Sequence, residues 1–167
     1  MSQPTTKPLT CYESVQEFHE VFGHPNPNNL QNNIFVEDPT LVNFRVSLIT
    51  EEVNELIAAV KDQNMTEVMD ALGDISYVVN GMAIALGIDL DKVFDIVHAS
   101  NMSKLCVSER EAQETVEYYK TQPGFENVTV QYRESCKKGF YVIYNVATGK
   151  ILKSINFRLP NFEPLMM

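Results

Sequence analysis

The chain is short of basic residues, has no tryptophan and lacks any hydrophobic run long enough to cross a membrane. Lys and Arg number 13 against 22 Asp and Glu in 167 residues, which gives a formal net charge of -9. We therefore expect no binding of polymeric nucleic acid and no docking on an anionic membrane through a basic surface. A spanning helix needs about 18 apolar residues in a row, and an export signal needs a basic segment followed by an apolar run. Neither pattern occurs in the sequence.

Cysteine is also scarce, and its placement bears on the compartment. Cys11, Cys106 and Cys136 are odd in number, lie far apart and form no Cys-x-x-Cys pair. This pattern is more typical of a reducing compartment than of a disulfide scaffold. We expect a cytoplasmic protein whose cysteines serve packing.

The hydrophobic fraction of 44% can fill one core at this length. Thr10 with Glu13 forms a capping-box pattern, and Asp38 followed by Pro39 combines an N-cap with a first-turn proline. Apolar residues then recur at helical spacing. The predicted helices run from Thr10 to Gly23, Asp38 to Lys61, Met65 to Leu86, Asp89 to Lys104 and Glu109 to Lys120.

The pattern changes after the last predicted helix. Pro123 and Gly124 interrupt the helical pattern. Three short segments follow, in which apolar residues alternate with other residues or aromatic and β-branched residues are frequent. The segments begin near Val128, Tyr141 and Ile151 and predict two or three strands. We therefore predict a mainly α fold with a small β meander, divided into a flexible leader (1–9), a helical domain (10–122) and a C-terminal appendage (123–167).

Acidic residues cluster on the second and third long predicted helices. At about 100° per residue, the acids of each helix fall within roughly 60° of one another. The short link between the helices predicts that they are antiparallel neighbours, so that the two acidic sets face each other. The residues concerned are Glu51, Glu52 and Glu55 on one helix and Glu67, Asp70 and Asp74 on the other.

Two interpretations of this cluster are open. Acids often coat a solvent-facing surface, and Glu67 also suits a helix-capping role after Asn64. The third long helix, however, is apolar on most sides, and it contains Gly73 and Gly81, which predict that something packs closely there. Carboxylates held this close repel each other, and a divalent cation compensates them. Oxygen-only ligands favour Mg²⁺, for which Mn²⁺ can substitute.

Four segments in order resemble the all-α nucleoside triphosphate pyrophosphohydrolases, the MazG-like superfamily that includes phosphoribosyl-ATP pyrophosphohydrolases and dimeric dUTPases. The Glu-Glu-x-x-Glu signature lies at Glu51 to Glu55, and the second-motif segment runs from Leu72 to Gly81. The remaining similarity, to short bacterial and phage members, lies at Phe18 to Gly23 and Val97 to Lys104. The resemblance covers about residues 18 to 104.

The resemblance implies a site and a reaction. Members cleave a nucleoside triphosphate between the α and β phosphates, so Glu51, Glu52, Glu55, Asp70 and Asp74 are the expected metal ligands. Glu51 or Glu52 is the expected residue that orients or deprotonates the attacking water. The family's second motif is Glu-x-x-Asp. Asp74 matches its Asp, whereas Ala71 stands at its Glu position. We therefore expect Asp70 to replace this Glu as a ligand, with Glu67 as the second choice.

Three further residues are candidates for nucleotide contacts. Asn101 and Lys104 are three residues apart and can face together, and their family counterparts imply contacts with sugar or phosphate. Each also suits a plain role at a helix end. Arg45 shares a helix face with Glu52 and can contact phosphate or form an ion pair with the carboxylates.

The predicted function is metal-dependent hydrolysis of a (d)NTP to the monophosphate and pyrophosphate, in nucleotide pool sanitation or supply. Two long helices with polar inner faces make a poor core alone, so a homodimer or homotetramer is expected. A dUTPase and a phosphoribosyl-ATP pyrophosphohydrolase are the alternatives within this class. An alternative of another class is a catalytically silent module that binds nucleotide or protein, for which Ala71 is the best argument.

Overall fold

The computed structural model describes residues 8–166. Within them the chain forms six α-helices and one antiparallel pair of strands, which confirms the predicted mainly α fold with a small C-terminal sheet. Most of the predicted leader, residues 1–7, lies outside the described residues. The elements are α1 (Cys11–Phe22), α2 (Ile34–Glu37), α3 (Pro39–Lys61), α4 (Met65–Ala85), α5 (Leu90–Met102), α6 (Glu109–Tyr119), β1 (Val130–Glu134) and β2 (Tyr141–Asn145).

The predicted starts of the helices are confirmed by their capping hydrogen bonds. The Glu13 backbone N–H donates to Thr10 Oγ1 at 3.1 Å, and the Thr10 N–H donates back to Glu13 Oε2 at 2.7 Å. Asp38 accepts from the Leu41 N–H at 2.9 Å at the start of α3. These bonds satisfy donors that the first turn of a helix leaves without an intrahelical partner. Local capping chemistry therefore sets where α1 and α3 begin.

The chain divides into two compact units between Val93 and Phe94. In the first unit α3 and α4 make the most extensive helix contact, α1 packs on α4, and α2 packs on α3. Since only three residues link α3 to α4, these two helices form an antiparallel hairpin. Its core is small. The buried apolar residues of the unit are Val15, Ile34, Ala59, Ala71, Ala83, Ile84, Ala85 and Leu86.

The second unit is built around the β-hairpin. Strands β1 and β2 pair from Val130 opposite Asn145 to Glu134 opposite Tyr141, and α6 packs on both strands. Its core consists of Cys106, Ala112, Tyr119, Ile143 and Leu152. This unit begins at Phe94, whereas the predicted appendage begins at residue 123, and the predicted domain boundaries stay a prediction. Of the third predicted strand, only Ile151 forms a bridge, with Tyr144.

No single helix among residues 8–166 is long and apolar enough to span a membrane, whereas α4 and α5 taken together as a bent pair meet the requirement for length and composition.

Candidate active site

The hairpin of α3 and α4 positions the acidic cluster. Glu52 lies as far before the end of α3 as Asp74 lies after the start of α4, so the antiparallel arrangement brings them to the same level of the hairpin. The short connection from Asp62 to Asn64 fixes this register. The predicted juxtaposition of the two acidic sets therefore follows from helix length and loop length.

Four carboxylates on α3 and α4 lie close enough to Glu52 to affect its ionisation. Partial burial raises the pKa of Glu52, and the negative charges of Glu55, Asp74, Glu51 and Asp70 raise it further, in that order. These are the five carboxylates predicted as metal ligands. A raised pKa means that ionisation of Glu52 destabilises the folded chain as the pH rises above the ordinary carboxyl range. The five carboxylates therefore repel one another, and a bound cation would relieve this repulsion.

Position 67 and position 71 take other roles. The Asn64 side chain accepts from the backbone N–H groups of Thr66 and Glu67, which places Glu67 in the capped first turn of α4. Glu67 is not among the residues that shift the pKa of Glu52. Ala71, which holds the family's Glu position, is only 3% exposed. Asp70 and Asp74 both raise the pKa of Glu52, and the choice of Asp70 over Glu67 as a metal ligand stays a prediction.

The donor set suits a hard divalent cation, since all five side chains offer only carboxylate oxygens. Among residues 8–166, however, no three Asp, Glu, His or Cys side chains are positioned to hold a metal ion. Like charges repel, which favours orientations that keep the carboxylate oxygens apart. The chemistry of the site fits Mg²⁺ or Mn²⁺, and binding would require these carboxylates to turn toward one another.

A surface groove lies beside part of the cluster. It follows α3, has a volume of about 700 Å³ and is open to solvent. Glu51 and Glu55 line it, whereas Glu52 is not among its lining residues. The other lining residues are Asn43, Val46, Ser47, Thr50, Asn54 and Ala58. Two of the predicted ligands can therefore be reached from the outer side of α3.

Arg45 is buried in the first unit. The residue is 6% exposed, and its Nε and Nη2 atoms are buried without a hydrogen-bond partner. Ion pairs between described residues join only near neighbours in sequence and do not include Arg45. Burial lowers its pKa. Contact between phosphate and these two atoms would require the surrounding helices to move, and the role of Arg45 in nucleotide binding stays a prediction.

Arg45 shares its buried site with His19 and Gly81, a grouping that the sequence alone did not reveal. A Cβ atom at Gly81 would lie 3.1 Å from Arg45 Nη1 and 3.3 Å from His19 Nε2. His19 is 1% exposed, and its Nδ1 donates to the Pro25 carbonyl at 2.7 Å. Burial lowers the pKa of His19 and the nearby Arg45 charge lowers it further, against the Pro25 hydrogen bond. The three residues come from three helices, so no local spacing signals the contact.

Asn101 and Lys104 belong to the second unit. Lys104 Nζ donates to Asn101 Oδ1 at 2.7 Å, so the two side chains face together as predicted. Lys104 follows the end of α5 and is half-buried. Their assignment to nucleotide binding stays a prediction, as does the role of each acidic residue above.

Comparisons with known proteins agree with the motif analysis. Residues 15–101 match the family model of phosphoribosyl-ATP pyrophosphohydrolase, and the match spans most of α1, all of α2 to α4 and nearly all of α5. The chain is also similar to an uncharacterized protein of Acanthamoeba polyphaga mimivirus, with 37% identity over 94% of this chain and 96% of the viral protein. The viral similarity extends well beyond the residues that match the family model.

Proposed function

Because this chain belongs to the phosphoribosyl-ATP pyrophosphohydrolase family, whose members hydrolyse phosphoric anhydrides, we propose that it converts a (d)NTP and water to the (d)NMP and pyrophosphate. The observation that carries the proposal is the coupling of five carboxylates across α3 and α4, inside the segment that matches the family. The proposed biological setting is sanitation or supply of the nucleotide pool.

In the proposed mechanism the carboxylates create a strongly negative site that selects divalent cations. Glu51, Glu52, Glu55, Asp70 and Asp74 are the residues that would hold Mg²⁺, or Mn²⁺ in its place. When bound, such a cation neutralises phosphate charge and lowers the pKa of bound water. Glu52 is one candidate for the general base, since a carboxylate can accept the proton of the attacking water. Glu51 is the alternative base.

The reaction can be tested by following monophosphate and pyrophosphate release from the four common dNTPs, dUTP, modified dNTPs and phosphoribosyl-ATP. We expect release with Mg²⁺ or Mn²⁺ and none with EDTA, because the carboxylates alone cannot neutralise the phosphates. The panel also ranks dUTP and phosphoribosyl-ATP against the other substrates. A folded protein that binds metal and releases no pyrophosphate from any of them would favour the catalytically silent binding module instead.

We further propose that a second copy of the chain completes the helical bundle, as a homodimer or homotetramer. Helices α3 and α4 each leave an apolar stripe exposed, and the side chains of each stripe lie within about 60° on the helical wheel. Exposed apolar side chains of this size and number are typical of an interface. The stripes consist of Val46, Val53, Ile57 and Val60 on α3 and Met65, Met69 and Leu72 on α4, between 39% and 68% exposed.

Sedimentation of the variant Ile57→Glu with Met69→Glu tests this assembly. We expect the native chain to sediment as a dimer or tetramer and the variant as a monomer, because buried carboxylates without partners are strongly disfavoured. Gln63→Glu adds a negative charge in the exposed link outside both stripes and should leave the assembly intact. A native chain that is monomeric at all concentrations would contradict the proposal.

A further inference from the structure

The segment 150–158, here named the basic segment, is positively charged in an acidic chain. It contains Lys150, Lys153 and Arg158 and no Asp or Glu, whereas the whole chain carries a net charge of -9. The segment lies outside residues 15–101, the part that matches the family model. The match to the family model therefore does not explain why this segment is positively charged.

Serine hydroxyls attach the basic segment to the end of α5. Ser154 Oγ donates to the Ser103 carbonyl at 3.0 Å, and the Arg158 N–H donates to Ser103 Oγ at 2.9 Å. Ser100 Oγ donates to the Arg158 carbonyl at 2.8 Å. Ser100 and Ser154 are both buried. The backbone around Arg158 is thus fixed beside residues 100–103.

The backbone of Lys153 is fixed as well. The Tyr119 hydroxyl donates to the Lys153 carbonyl at 3.0 Å and accepts from the Lys153 N–H at 3.1 Å. The Lys153 side chain remains exposed, with Nζ over the Phe157 ring at 4.5 Å from its centroid. Lys104 follows Ser103 directly, so a fourth cation adjoins the same attachment point. Backbone hydrogen bonds hold Lys153 and Arg158 in place, and both side chains are exposed. Lys104 is half-buried, and its Nζ donates to Asn101 Oδ1.

None of these cations forms an ion pair with another described residue. Ion pairs within residues 8–166 involve Lys92, Arg110 and Lys120, and none of the four cations of this cluster. The serine and tyrosine hydrogen bonds explain why the segment covers the end of α5, but they do not require positive charge at the exposed positions. Unpaired Lys and Arg on a rigid backbone are suited to binding phosphate oxygens.

We propose that Lys104, Lys153 and Arg158 form a binding site for the phosphate chain of a small polyphosphate. The inference rests on the proposed function, because that reaction consumes a triphosphate and releases pyrophosphate. The hydrogen bonds of Ser100, Ser103 and Ser154 bring the backbone of these three residues into one region, and their three positive charges suit such an anion. Polymeric nucleic acid is a poorer match, since the rest of this acidic chain would repel it.

Calorimetric titration of the full chain with inorganic tripolyphosphate in EDTA tests the site without turnover. We expect the double variant Lys153→Ala with Arg158→Ala to bind at least about tenfold more weakly, as expected when two charge-assisted contacts are lost. The anchors use backbone atoms of both residues, so truncating the side chains leaves these hydrogen bonds in place. Arg158→Lys should retain most of the affinity because it keeps the charge.

The matched control is Lys137→Ala with Lys138→Ala. It removes the same charge from exposed positions of the same unit, and Lys137 also lies over an aromatic ring, that of Phe140. This variant should bind tripolyphosphate like the native chain. Equal weakening in both double variants, or no binding by the native chain, would overturn the site.

Turnover of the preferred dNTP with Mg²⁺ separates this inference from the proposed function. Loss of tripolyphosphate affinity in the Lys153 and Arg158 variant supports the site even if no nucleotide is hydrolysed. Conversely, the native chain could hydrolyse the dNTP with Mg²⁺ while the double variant binds tripolyphosphate as tightly as the native chain does. That result would retain the proposed function and reject the site.

Discussion

Glu52→Gln, or Asp74→Asn, is expected to lower kcat by about 10²- to 10³-fold, the usual effect of removing one group that stabilises the transition state. Glu52 is coupled to the four other carboxylates, and Asp74 faces it across the hairpin. Each substitution keeps the shape of the side chain and removes its charge. Steady-state kinetics with Mg²⁺ and the best dNTP of the panel measure the effect.

Stability measurements distinguish this loss from misfolding. Because the pKa of Glu52 is raised in the folded chain, its ionised form is destabilising, and Glu52→Gln should leave the free energy of unfolding equal or higher at neutral pH. The gain should shrink as the pH falls and Glu52 becomes protonated. Glu67→Gln is the matched control, since Glu67 lies outside the coupled group and should retain activity. Full activity in both Glu52→Gln and Asp74→Asn would reject the metal-site assignment.

Gly87→Ala is expected to destabilise the first unit by about 3 kcal/mol or more, from backbone strain and overpacking together. Gly87 follows α4 with φ of +69°, and a Cβ atom there would lie 2.0 Å from the Asn29 carbonyl oxygen. The loop before α2 cannot move away freely, because the Gln31 N–H donates to the Leu86 carbonyl at 2.9 Å. Urea unfolding followed by circular dichroism gives the change in stability.

Gly73→Ala provides the matched comparison. Gly73 lies inside α4, and a Cβ atom there would meet nothing within 4 Å. Alanine should therefore stabilise the helix by about 0.5 to 1 kcal/mol through its better helix propensity. An unchanged urea midpoint for Gly87→Ala would show that the loop adapts to the added methyl group.

Local signals in the sequence predicted the long helices well. The capping box at Thr10 and the Asp38-Pro39 start both form as expected, because a helix start depends on residues within one turn. The four-residue helix α2 was not predicted, since it is too short to show periodicity. Of the two or three predicted strands, two form; the segment that begins at Ile151 makes only one bridge, because residues 153–158 bond to α5, α6 and the turn after α5 instead of continuing the sheet.

Packing was predicted less well than helix location. Close packing at Gly81 is confirmed, but the same expectation for Gly73 is wrong within the chain. On α3, Arg45 and Ala59 are buried, while the apolar residues Val46, Val53, Ile57 and Val60, which recur at helical spacing, remain exposed. Periodicity shows which side chains share a face, but it does not show what covers that face. The acidic cluster could be predicted because helix geometry and a short link determine it.

The contact between Arg45 and Gly81 also constrains how the sequence can diverge. With Arg45 Nη1 only 3.1 Å from the place of a Cβ atom, even alanine at position 81 needs the guanidinium to shift. Because Arg45 is buried, it has little room to do so. Among descendants of this gene, a larger residue at position 81 should therefore appear together with a shorter one at position 45, and the two positions should covary although 36 residues of sequence separate them.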